Sequence, residues 1–90
     1  MNGSTIAHRV RLFAAARQLT GETEIEIVLS ANATIRELRQ AIVQKYPQLT
    51  SLVRASRLAV GTRYAADEEM LLGGDGIRQE FVLIPPVSGG

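Results

Sequence analysis

Ninety residues with ten basic and nine acidic side chains, a net charge of +1 and no cysteine describe one small domain with a balanced surface. That length supports a single core burying somewhat over ~60% of the unfolded chain's surface. The charge balance and the scattered aromatics, Phe13, Tyr46, Tyr64 and Phe81, argue against a nucleic-acid partner, which calls for a basic stripe and stacking platforms. No apolar run reaches the ~18 residues of a membrane span, and the opening MNGSTIAHRVR lacks the apolar centre of a signal segment, so no membrane partner is expected. Without cysteine there are no disulfides, thiolate metal sites or side-chain persulfides, which suits a cytoplasmic location.

Residues 1–5 are polar and expected to fray. Ile6, His8, Val10 and Leu12 then alternate with Ala7, Arg9, Arg11 and Phe13, the period of a half-buried strand. Ala14 to Leu19 fits a short helical turn that Thr20-Gly21 stops. Ile25, Ile27 and Leu29 alternate with Glu24, Glu26 and Val28, a second strand with an acidic outer face. Thr34-Ile35-Arg36-Glu37 reads as a capping box, Thr34 at N-cap and Glu37 at N3. Ile35, Leu38 and Ile42 follow at helical spacing, with Val43 or Tyr46 extending the stripe, and Pro47 ends the helix. Leu49, Leu52 and Val53 suggest a short apolar turn, Arg57 to Val60 and Phe81 to Ile84 two further strands, and Tyr64-Ala65 a minor one.

Two strands, a capped helix and then more strands provide too few crossovers for a doubly wound sheet. The order predicts an α+β, ubiquitin-like β-grasp: a mixed sheet covered on one face by one main helix, its first and last strands neighbours at the centre. The domain spans 1–84, and 85–90 form an extended, flexible diglycine tail. With Val10, Leu12, Phe81 and Leu83 facing the helix, alternation sends Phe13, Val82 and Ile84 to the other face, where Tyr64 can join them. Several apolar residues clustered there read as a docking patch; a register slip of one residue would exchange the faces.

The last six residues, Pro85-Pro86-Val87-Ser88-Gly89-Gly90, carry the strongest functional signal. The prolines fix φ and remove two backbone donors, so a strand cannot continue through them. Gly89 and Gly90 leave an unhindered carboxylate on a slim tip suited to a narrow pocket.

The segments Val10-Arg11-Leu12-Phe13-Ala14-Ala15-Ala16-Arg17-Gln18-Leu19-Thr20-Gly21, Thr34 to Arg39, Leu58-Ala59-Val60 and Val82 through Gly90 together resemble the small, sulfur-carrier subunit of molybdopterin synthase. The similarity covers almost everything after residue 8, and its most specific part is the ending Ile-Pro-Pro-Val-Ser-Gly-Gly. Gly61 stands where the family often has asparagine, and 73–79 is longer than the usual connection; both are turns.

The resemblance implies that an ATP-dependent, ubiquitin-activating-like adenylyltransferase adenylates the Gly90 carboxylate and that a sulfur donor converts it to a thiocarboxylate. ATP would be the activating enzyme's substrate, with no cofactor and no metal held by this chain. Pro85, Pro86, Val87, Ser88 and Gly89 would thread into the large subunit of molybdopterin synthase, and Gly90 would give its sulfur to cyclic pyranopterin monophosphate. Phe13, Tyr64, Val82, Ile84 and Arg17 would contact that partner in an assembly of two copies of each chain. Adenylation converts a poor electrophile into one with a good leaving group, and the thiocarboxylate supplies a nucleophilic sulfur in a chain without cysteine. Acid–base residues would belong to the partners, so the chain alone is not expected to be an enzyme.

Other features carry less. His8 has no second ligand at metal spacing and reads as structural or solvated, and Asp67-Glu68-Glu69 as a solvated charge run. Gly73-Gly74-Asp75-Gly76 lacks the Lys-Ser/Thr of a phosphate loop and reads as a turn. Two alternatives stay open: a sulfur carrier of the thiamine-pathway type, typically shorter and without Pro-Pro-Val, and a protein modifier joined to lysines, for which Lys45 is the one possible branch point within the chain itself.

Overall fold

A computed structural model describes residues 4–73 and 78–85. Strand β1 (Thr5–Leu12) leads through helix α1 (Ala14–Thr20) to β2 (Glu24–Ser30), and the main helix α2 (Ile35–Lys45) follows. A 3-10 turn at Pro47–Leu49 runs into α3 (Thr50–Ala55), and β3 (Arg57–Val60), β4 (Arg63–Tyr64) and β5 (Phe81–Ile84) complete the order. Among the described residues five strands form one sheet in the order β2-β1-β5-β3-β4. β1 pairs antiparallel with β2 and parallel with β5, which makes the first and last strands central neighbours. This is the mixed sheet of a β-grasp.

The helices begin and end where local chemistry dictates. At the start of α2 the Glu37 amide donates to Thr34 Oγ1 (3.4 Å) and the Thr34 amide to Glu37 Oε1 (2.9 Å), a reciprocal capping box. The next two amides, of Ile35 and Arg36, donate to the carbonyls of Glu69 and Asp67 at 2.9 and 3.0 Å, so a remote loop satisfies donors the helix cannot. Gly21 ends α1 with φ 75°, a left-handed cap open to glycine at little steric cost.

α2 places Ile35, Leu38 and Ile42 against Val10, Leu12, Ile25, Ile27, Phe81 and Leu83 of the sheet, and Leu49, Val53, Leu58 and Leu71 close the core. Burying each large side chain contributes about 1.5–3 kcal/mol, so this cluster is the main favourable term.

Three sequence expectations change. The apolar turn at Leu49–Val53 is a 3-10 turn plus the helix α3, because Ser56 Oγ bonds the Leu52 carbonyl (2.6 Å) and Thr50 Oγ1 the Pro47 carbonyl (2.7 Å), tying both ends of so short a segment. The minor strand is Arg63–Tyr64, one residue earlier than expected. Asp67-Glu68-Glu69 is partly exposed but also ion-paired, each residue with one arginine. Asp67 meets Arg39 Nε at 3.0 Å, Glu68 meets Arg36 at 3.0 Å and Glu69 meets Arg63 at 2.8 Å. The hydrogen bond from Arg63, followed by that from the Ala66 amide, holds the Glu69 carboxyl below its usual range. Arg39 also donates to the Val53 and Ser56 carbonyls at 2.8 and 2.9 Å, joining α2, α3 and this loop through one guanidinium.

Candidate functional site: the open sheet face and the exit of the last strand

The site starts from the register of β5. Leu83 pairs with Leu12 on one side and with Leu58 on the other, all three buried under α2. Val82 and Ile84 therefore point to the opposite face, where they are half-buried. Reading across that face, Glu24, Arg11, Val82, Ala59 and Tyr64 are successive register partners on β2, β1, β5, β3 and β4. Ile84 is the partner of Arg57, whose guanidinium lies 4.8 Å from the centroid of the Tyr64 ring.

Phe13 joins this face from the end of β1. The backbone turns sharply after it, with Ala14 in the left-handed region at φ 49°, a conformation rare for a residue bearing a Cβ. Phe13 is 41% exposed and Tyr64 55%, large for aromatic rings on so small a domain. Arg11, Phe13 and Arg17 line one concavity with Thr23 and Glu24. Arg17 is exposed in the last turn of α1. Phe13, Arg17, Tyr64, Val82 and Ile84 thus share one side of the sheet or its rim.

Pro85 follows Ile84 directly and is half-buried. It has no backbone donor, so the ladder stops there, between the neighbouring strands β1 and β3. The tail positions Pro86, Val87, Ser88, Gly89 and Gly90 lie outside the described residues, as do 74–77 of the long connection.

His8, which alternation puts on the same side as Val10 and Leu12, is fully buried on the core face. Its ring meets Phe81 edge-on at a centroid distance of 5.9 Å, and neither nitrogen has a hydrogen-bond partner among the described residues. Burial, then the positive charge of Arg78, pushes its pKa below the ordinary value. Among the described residues no three His, Cys, Asp or Glu side chains gather as a metal site, and no helix is long and apolar enough to cross a membrane.

A mixed sheet with one face under helices and the other open, whose first and last strands are parallel neighbours at its centre, defines an α+β domain of the ubiquitin-like β-grasp class. The chain belongs to the ThiS family, whose pattern matches residues 10–90. It is similar to the molybdopterin synthase sulfur carrier subunit of Arabidopsis thaliana, 31% identical over 87 residues that make up 97% of this chain and 86% of that one. The sulfur carrier subunit of Caenorhabditis briggsae is 34% identical over 89 residues, covering 94% of this chain and 99% of that one. Among solved structures, SAMP1 from Haloferax volcanii superposes with a TM-score of 0.76 at 24% identity over 93% of this chain and 99% of that one, a likeness of fold.

Proposed function

We propose that this chain is the sulfur-carrier small subunit of molybdopterin synthase. The observation that carries the reading is the exit of the chain at Pro85, from a central strand and beside the open apolar face, in a sequence related over nearly its whole length to such subunits. In this reading an adenylyltransferase of the ubiquitin-activating type uses ATP to adenylate the Gly90 carboxylate. A sulfur donor then displaces AMP and leaves a thiocarboxylate. Pro85 to Gly89 thread that group into the large subunit, while Phe13, Tyr64, Val82, Ile84 and Arg17 hold the domain against it. Gly90 gives up its sulfur to cyclic pyranopterin monophosphate, and two such transfers make the dithiolene. The assembly holds two copies of each chain and works in the cytoplasm.

The division of labour follows from the chemistry present. Among the described residues the open face offers arginines, apolar side chains and the exposed Glu24 and Glu26 of β2, a surface suited to docking. Proton transfers at the reacting carbonyl fall to the partners.

Intact mass of the chain isolated with its activating enzyme and sulfur donor tests the proposal. A fraction should be heavier by the difference between sulfur and oxygen, and the charged chain with the large subunit should convert the cyclic pyranopterin to molybdopterin without a conjugating enzyme. Recovery of the chain mainly as lysine conjugates, with no pterin product, would overturn it.

A further inference from the structure

The arginines of the open face, which lie across from Glu24 and Glu26 of β2, are paired less closely than those around α2. Arg36 and Arg39 of α2 and Arg63 of β4 are matched by Glu68, Asp67 and Glu69. On the open face Arg9 reaches Glu24 only at 4.0 Å, and Arg11, Arg17 and Arg57 form no ion pair among the described residues.

The unmatched cations have a definite relation to the apolar row. Arg11 is the register partner of Val82 and Arg57 that of Ile84, so one guanidinium flanks β5 on each side. Arg57 is prearranged over the Tyr64 ring, and Arg17 shares the concavity of Arg11 and Phe13. Water screens such charges in the free domain, but covering the face by a partner would strip that water and leave them costly unless opposite charges met them.

We propose that Arg11 and Arg57 select the partner of this face: the protein surface that covers it carries carboxylates against these two guanidinia, around an apolar centre that receives Val82, Ile84 and Tyr64. The inference rests on the sulfur-carrier reading for the identity of that partner, the large subunit, and adds what the apolar row cannot supply. Apolar burial is non-directional. Guanidinium–carboxylate pairs fix orientation through their planar fork and reject a neutral or basic surface.

The test titrates the chain into purified large subunit over a range of ionic strength. Affinity should fall steadily as salt rises. Arg11→Glu and Arg57→Glu should each weaken binding at low salt by roughly tenfold or more and flatten the salt dependence. Arg54→Glu, on α3, should change neither. Should a reversal fail to fold, Arg11→Gln and Arg57→Gln, checked by thermal melting, take its place with the same expected direction. Salt-independent affinity that is indifferent to both substitutions overturns the proposal and leaves the sulfur-carrier reading standing. Failure of the unaltered chain to bind the large subunit removes both. Pairing of two copies of this chain through the same face, seen by sedimentation, overturns the inference alone.

Discussion

Leu12 and Leu83 are partners across the parallel ladder that joins the first strand to the last, and each is 1% exposed. The residue that follows each of them, Phe13 or Ile84, turns away from that core toward the open face. Neighbouring positions thus separate stability from docking. Leu12→Ala or Leu83→Ala should cost about 2–5 kcal/mol of unfolding free energy by opening a cavity. Phe13→Ala or Ile84→Ala should barely move the melting temperature and weaken large-subunit binding by roughly 1–3 kcal/mol. Calorimetric titration beside thermal melts checks both. Unfolding of the Phe13 variant with unchanged binding per folded molecule would invert the face assignment.

Removing Gly90, or adding one residue after it, should abolish sulfur transfer and leave the melting curve unchanged, because the last core residue among the described ones is Leu83, well before Gly90. A single-turnover assay of pterin conversion reads this directly. Full transfer by a chain extended at its C-terminus would refute a role for the terminal carboxylate.

The buried imidazole of His8 makes stability depend on pH in a definite direction. Its pKa in the folded chain lies below the ordinary 6.5, first through burial and then through Arg78. Below pH 6.5 the unfolded chain therefore binds the proton before the folded one, and stability falls as pH drops from that point toward the lowered folded pKa. The slope is at most about 1.4 kcal/mol per pH unit for one proton. His8→Leu, of similar volume and with no unpaired nitrogens, should match or exceed the parent at neutral pH and lose this part of the acid sensitivity. Urea denaturation at several pH values checks it; an unchanged slope would contradict the assignment.

Arg39 and Arg36 both meet acidic residues of the 67–69 segment, yet their substitutions should differ. Arg39→Met strands the Val53 and Ser56 carbonyls as well as Asp67, and should cost about 1–3 kcal/mol. Arg36→Met removes an exposed pair with Glu68 and should cost under about 1 kcal/mol. Equal losses in chemical denaturation would show that the buried part of the network contributes nothing.

The elements easiest to read from sequence were those whose signal is local. The alternation from Ile6 to Phe13 located the first strand and its faces, although the strand runs from Thr5, which was expected to fray, to Leu12, and Thr34 with Glu37 marked the start of the main helix to the residue. α3 was missed because Thr50–Ala55 is too short to show a helical period after Pro47. The pairing of Arg39 with Asp67 spans 28 residues of sequence and leaves no local trace. His8 sat in the inward phase of its strand, a sign of burial that alternation offered and that the polarity of the side chain obscured. The positive rim formed by Arg11 and Arg57 needed the register of β5 between them, which only the folded sheet supplies.

That same strand governs the order in which the molecule can be completed. β5 lies between β1 and β3, so without Phe81–Ile84 no strand pairing would connect β2-β1 with β3-β4. A chain cut short before Phe81 cannot join them, and the pairing of β5 with β1 closes a long stretch of sequence. Closure of the sheet depends on the same strand that leads into Pro85. A partner that reads the row from Arg11 through Val82 and Ala59 to Tyr64 therefore meets a finished sheet, and a chain truncated before β5 does not present that row.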